Sequence, residues 1–196
     1  ENLRSAQQRI TYIARDGRQT YKPHFTFMGG RYVRLDKYPY EVKPENFRFI
    51  VIHSDIKRTG YFECSDERVN TLFDNIIRGQ RGNYVDVPTD CPQRDERLGW
   101  TADTQVFAET GTFFANTMKF FHKWMRDMRD TQNSLGGFPG VAPLAQYGDE
   151  KMRLGWADAG IIVPWTVWKQ FGDTQIIEES WVDEFDIDGI RLDVAY

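Results

Sequence analysis

The sequence predicts an α+β chain in two parts, β-rich over residues 1–60 and helical over residues 61–181, followed by an unrelated tail over 182–196. Three observations carry this. Aromatic and β-branched residues alternate with polar ones through the first sixty positions, the hydrophobic period lengthens after Ser65, and polar loops bearing glycine or proline then separate the apolar segments. A chain that is 40% hydrophobic and 15% aromatic has enough apolar surface to pack a core.

In the first part, Arg9–Ile13 alternates, and Asp16-Gly17 is a hairpin-type turn. Tyr21–Tyr32 is rich in aromatic residues and threonine, and Gly29-Gly30 interrupts it before Arg31–Leu35 alternates again. Phe47–His53 reads as a further strand. Together these segments fit part of an antiparallel β-sandwich.

After Ser65, a plausible N-cap, Val69, Leu72, Phe73, Ile76 and Ile77 recur at helical spacing, with Gly79 or Gly82 as the stop. Residues 83–92 read as an extended connector. A second helix is expected to bury Val106, Phe107, Thr110, Phe113 and Phe114, and a third, Thr117–Asn133, to bury Met118, Phe121, Met125 and Met128. The glycine- and proline-rich stretch Ser134–Ala145 is long for a connector, which favours a functional loop. A fourth helix covers about Asp158–Phe171, with Pro164 as a kink.

Composition excludes several function classes. A net charge of −4 with no basic stripe argues against a nucleic-acid partner. Cys64 and Cys91 are the only cysteines, so neither a disulfide scaffold nor a cysteine metal cluster is present, although a bond between the two stays open. The sequence has no run of about eighteen apolar residues and no signal-peptide pattern at its start.

The chemistry concentrates between Asp90 and Asp103, where four carboxylates, two arginines and a tryptophan fall within Asp-Cys-Pro-Gln-Arg-Asp-Glu-Arg-Leu-Gly-Trp-Thr-Ala-Asp. Carboxylates and guanidinium groups suit sugar hydroxyls, an indole suits the apolar face of a pyranose, and one acid can serve proton transfer. A salt-bridged surface connector is the plainer alternative. For Asp103, favoured by the dipole at the start of a helix, capping competes with sugar binding.

This stretch resembles the signature of bacterial α-L-rhamnosidases, glycoside hydrolase family 78. The resemblance extends from about Tyr21 to about Trp181 and takes in Phe25–Val33 and Gly155-Trp-Ala-Asp158. It implies the end of a β-sandwich followed by the first helices of an (α/α)6 barrel. It also implies inverting hydrolysis of terminal α-L-rhamnosides, with Glu96 as general acid and adjacent Asp95 as its rival. Asp90, Arg94, Trp100 and Asp103 would hold the sugar, and Trp156 and Asp158 would join them; Arg97 reads as a structural ion-pair partner. No metal or cofactor is implied, and the partner is a rhamnose-containing glycoside or polysaccharide.

The family's catalytic base lies more than two hundred residues downstream of the acid, so the chain is expected to be an incomplete enzyme; Glu178 and Glu179 are not promoted to that role. The half-barrel would leave apolar faces for self-association or for the rest of the barrel. A non-catalytic rhamnose-binding or structural fragment is the alternative. In the tail, Asp188–Ala195 resembles the strand-four motif of the α-amylase superfamily, with Arg191 and Asp193 at its reactive positions. A short strand or a disordered end is the plainer account, and an α-amylase-like hydrolase the remaining one.

Overall fold

The computed structural model describes residues 3–145 and 152–182, so the tail motif with Arg191 and Asp193 lies outside the described residues. The chain divides into two compact units, residues 1–51 with 91–97 and residues 52–90 with 98–196.

Among its described residues the first unit shows no strand over the expected segments. Among its described residues the regular structure is a 3-10 turn at Pro44–Asn46, opened by proline at its first position. Alternation specifies which face a strand would bury; a ladder also needs a neighbouring backbone, and here none is in register. The expected turn at Asp16-Gly17 does form, with Gly17 at φ 87°, and it brings the Tyr12 and Tyr21 rings to 4.6 Å. Gln19 closes it, donating to the Arg15 carbonyl and accepting from the Arg15 amide at 3.1 Å.

The second unit is helical. Helix α1, Glu67–Asn83, is capped by Asp66 rather than Ser65, because the Asp66 carboxylate accepts from the Arg68 amide at 2.9 Å. Phe73 and Ile77 are buried as expected, but Val69 and Leu72 are exposed. Neither expected glycine stops the helix, which ends at Asn83. The residues after it form a tight hairpin rather than an extended connector. Strand β1, Tyr84–Val85, pairs with β2, Val87–Pro88, around Asp86, which holds φ 69° and donates its amide to Ser54 Oγ at 2.9 Å.

Helix α2, Thr101–Phe114, buries a different face from the one its hydrophobic pattern predicts. Thr101, Thr104, Ala108, Gly111 and Thr112 are buried with Phe114, whereas Val106 is 79% and Phe113 57% exposed. Close approach decides this. A Cβ at Gly111 would lie 3.1 Å from both Gln80 Nε2 and Tyr84 Oη, and Gln80 donates to the Gly111 carbonyl at 3.0 Å. Small residues let α2 sit against its neighbours; Val106 and Phe113 turn outward, whereas Phe107 is half-buried against the core and Phe114 is buried.

Helix α3, Met118–Asp130, matches expectation in its buried face and ends a few residues early. Phe121, Trp124, Met125 and Met128 are fully buried, and the Tyr84 ring stacks on Phe120 at 4.5 Å. Helix α4, Ala159–Phe171, packs on α2 and α3 and stops at Gly172 in the left-handed conformation. Pro164 sits inside α4 and cannot donate to the Gly160 carbonyl; the Trp181 indole donates to it instead at 3.2 Å. A short helix α5, Thr174–Ile177, and a turn at Glu178–Val182 complete the described chain. No described helix is long and apolar enough to cross a membrane.

Candidate functional site

The residues singled out by sequence fall in both units. In the second unit, Asp90 closes the neck of the charged stretch. Its amide donates to the Leu98 carbonyl at 3.0 Å, and its Oδ1 accepts from the Leu98 amide at 3.0 Å. Trp100, half-buried, is the N-cap residue of α2 in extended conformation, and its carbonyl accepts from both Thr104 N and Thr104 Oγ1. Asp103 is exposed in the first turn, so it is not the N-cap. It lines an open cleft of about 550 Å³ together with Asp90, Pro88, Thr89, Ala102 and Phe107.

The Ser134–Ala145 loop holds the start of α2. Ala142 N donates to Gly99 O at 2.9 Å, Thr101 N donates to Gly140 O at 3.0 Å, and Trp100 pairs with Val141 as an isolated bridge. Trp124 anchors the loop from beneath, donating Nε1–H to the Ala142 carbonyl at 2.9 Å. Glycine and proline let this loop run buried from Phe138 to Ala142, with the Pro139, Gly140 and Ala142 carbonyls and the Ala142 amide hydrogen-bonded.

Trp156 and Asp158 form the turn into α4. Asp158 Oδ2 accepts from the Gly155 amide at 3.3 Å, and Gln105 of α2 donates to the Gly155 carbonyl at 2.6 Å. The Trp156 Nε1–H is buried and has no hydrogen-bond partner among the described residues. An unpaired buried donor is costly, so it is a feature a polar ligand could satisfy.

In the first unit, Glu96 is half-buried, and its Oε2 takes both Arg94 at 2.8 Å and Arg4 at 2.7 Å. Arg94 Nε also donates to the buried Cys91 Sγ at 3.1 Å. Neighbouring Asp95 points elsewhere, accepting from the Ser5 amide at 3.1 Å and from the Ser5 hydroxyl. The Ser5 hydroxyl bond, with the Ser5 amide and nearby Arg4, holds the exposed Asp95 carboxyl below its ordinary range. Arg97 is structural, but not through the expected ion pair. It donates to the carbonyls of Arg94 and Phe27, each at 3.0 Å, and its guanidinium lies 4.7 Å from the Phe27 ring centroid.

The structure thus joins Arg94 to Glu96, sets Asp90 and Asp103 on one cleft, and ties the Trp156–Asp158 turn to α2. Sequence reasoning missed Arg4, Ser5 and Gln8, which touch the charged stretch from more than eighty residues away with no local pattern to mark them. It also missed His122, which stands between Asp173 at 2.7 Å and Glu179 at 3.4 Å. Glu179 is further held by Gln175 and Arg129. Cys64 and Cys91 are not disulfide-bonded to each other.

Residues 57–184, well over half of the chain, match the bacterial α-L-rhamnosidase six-hairpin glycosidase domain. The chain belongs to that family. Residues 1–53 match the concanavalin-like domain of bacterial α-L-rhamnosidases. An α-L-rhamnosidase of Formosa agariphila is 42% identical over 184 residues, covering 92% of this chain and 20% of that protein. The solved α-L-rhamnosidase of Streptomyces avermitilis, complexed with L-rhamnose, is 43% identical with a TM-score of 0.62 over 65% of this chain and 12% of that one. The α-L-rhamnosidase structure from Dictyoglumus thermophilum is 35% identical with a TM-score of 0.71, covering 76% of this chain and 17% of that one. The chain therefore spans about a fifth of the length of the curated relative it matches.

Proposed function

We propose that this rhamnosidase-family chain carries the acid-bearing part of an inverting glycosidase that removes terminal α-L-rhamnose. The observation that carries the reading is the charged stretch itself. Glu96 stands apart from Asp95 with its own arginine partners, and Asp90 and Asp103 line one open cleft. Inverting hydrolysis needs one carboxyl to protonate the leaving oxygen and a second to activate water from the opposite face, roughly 6.5–9.5 Å away. Glu96 takes the first role. Asp90, Arg94, Trp100 and Asp103 bind the sugar ring, and Trp156 and Asp158 contribute from the turn before α4. In this reading residues 1–60 are the end of a β-sandwich and residues 61–181 the opening helices of an (α/α)6 barrel. The Streptomyces avermitilis relative was solved in complex with L-rhamnose, which makes a rhamnose-containing glycoside the substrate to test first.

The test is rhamnose release from an alkyl α-L-rhamnoside, whose poor leaving group needs protonation, by the intact enzyme that carries this stretch and by its Glu96→Gln variant. The substitution should lower kcat about 10²–10⁴-fold, the usual contribution of a positioned acid. Full turnover by the variant would refute the assignment.

A further inference from the structure

Residues 4–8 grip the 91–97 loop at three successive points. Arg4 Nη1 donates to Glu96 Oε2 at 2.7 Å, Ser5 donates both its amide and its hydroxyl to Asp95 Oδ2, and Gln8 Nε2 donates to the Gln93 carbonyl at 2.7 Å. The loop has no helix or strand of its own to hold this shape. Arg97 within it sits at φ 53°, a left-handed conformation that a non-glycine residue keeps only when its surroundings impose it. Those surroundings include Phe27, whose carbonyl and ring both hold the Arg97 side chain.

The two arginines on Glu96 are not equivalent. Arg94 is part of the loop, with its side chain 30% exposed, whereas Arg4 arrives from ninety-two positions away and its side chain is 53% exposed. Arg94 moves with the loop that carries Glu96, whereas Arg4 ties the carboxyl to a second stretch of chain. We infer that residues 4–8 are a positioning strap for the 91–97 loop, with Arg4 as the residue that fixes the Glu96 carboxylate. The inference rests on the proposed function only for what Glu96 does once it is fixed.

Cys91 provides a reporter that does not depend on turnover. Its thiol is buried at the start of the loop, only 7% exposed, and accepts a hydrogen bond from Arg94. In a Cys64→Ser background, an aromatic disulfide reagent reads Cys91 alone. Arg4→Ala removes a largely exposed side chain and should speed labelling about three- to fivefold, the scale of a partly exposed ion pair. Glu96→Gln should give a similar increase, the double variant should add nothing further, and Arg4→Lys should restore most of the protection. Labelling of Arg4→Ala at the parent rate, or fully additive effects in the double variant, would overturn the strap. If the strap holds while Glu96→Gln retains full turnover, the acid assignment fails and the positioning role stands.

Discussion

Gly99→Ala tests how the start of α2 is held. Gly99 and Ala142 share a hydrogen bond at 2.9 Å, and the Ala142 carbonyl also accepts the Trp124 indole at 2.9 Å. A Cβ at position 99 would run into the Ala142 carbonyl oxygen, with Ala142 C at 3.2 Å and Trp124 Nε1 at 3.4 Å. The obstacle is backbone, fixed from two sides, so it cannot swing away as a flexible side chain would. Forcing the two apart carries an overpacking cost of about 1–3 kcal/mol. The two bonds on Ala142 add about 0.5–1.5 kcal/mol each if they are lost. The restricted unfolded chain returns about 0.4–1 kcal/mol. With both bonds lost the net cost is about 1–6 kcal/mol, or a Tm lowered by about 2–24 °C for a domain of this size. The assay is thermal unfolding followed by tryptophan fluorescence, beside Gly79→Ala in α1. A Cβ at Gly79 meets nothing within 4 Å, so that variant should be neutral or stabilising by up to about 1 kcal/mol. Equal melting temperatures for the two variants would refute the packing argument.

Three further outcomes rest on single groups. The Tyr84 hydroxyl is buried without a partner among the described residues, and burial pushes its pKa upward; Tyr84→Phe should therefore leave stability unchanged or raise it by about 1 kcal/mol in urea unfolding, and a clear loss would reveal a bond to that hydroxyl. His122→Ala strands the mostly buried Asp173 carboxylate and should cost about 1–3 kcal/mol, so an unchanged urea midpoint contradicts the role given to His122. The Asp66 carboxyl is lowered from 3.8, first by its side-chain bond to Arg68 and then by the Arg68 amide. A depressed folded-state value gives a contribution present above the unfolded pKa and lost as pH falls through the folded one. Fraying of the first turn of α1 should therefore begin below about pH 4 and be absent at pH 6, as amide resonances of residues 67–70 would show. Fraying in Asp66→Asn that kept the same acid transition would assign it elsewhere.

Much of the second unit was legible in the chain. Helices α3 and α4 match their expected ranges within a few residues, because Phe121, Met125 and Met128 form a stripe that only one face can bury and residues 158–171 are rich in Ile, Val and Trp. The charged stretch announced itself by residue type, and its family was legible in the order of those residues. Side-chain size, hydrophobic period and motif order are local properties, written into neighbouring positions. Where packing is between elements, local pattern failed. Val106 and Phe113 point outward because Gly111 and Ala108 permit a closer approach than larger side chains would. The strands expected before residue 60 lack ladders, since alternation fixes a face but cannot supply a partner backbone. Residue type alone does not separate Asp95 from Glu96, where the family resemblance names Glu96: both are carboxylates, and the arrival of Arg4 and Ser5 is what gives one an arginine pair and the other a serine. Sequence determined which residue types the 91–97 loop carries; tertiary structure decided which way each acid points, because that depends on groups more than eighty residues away.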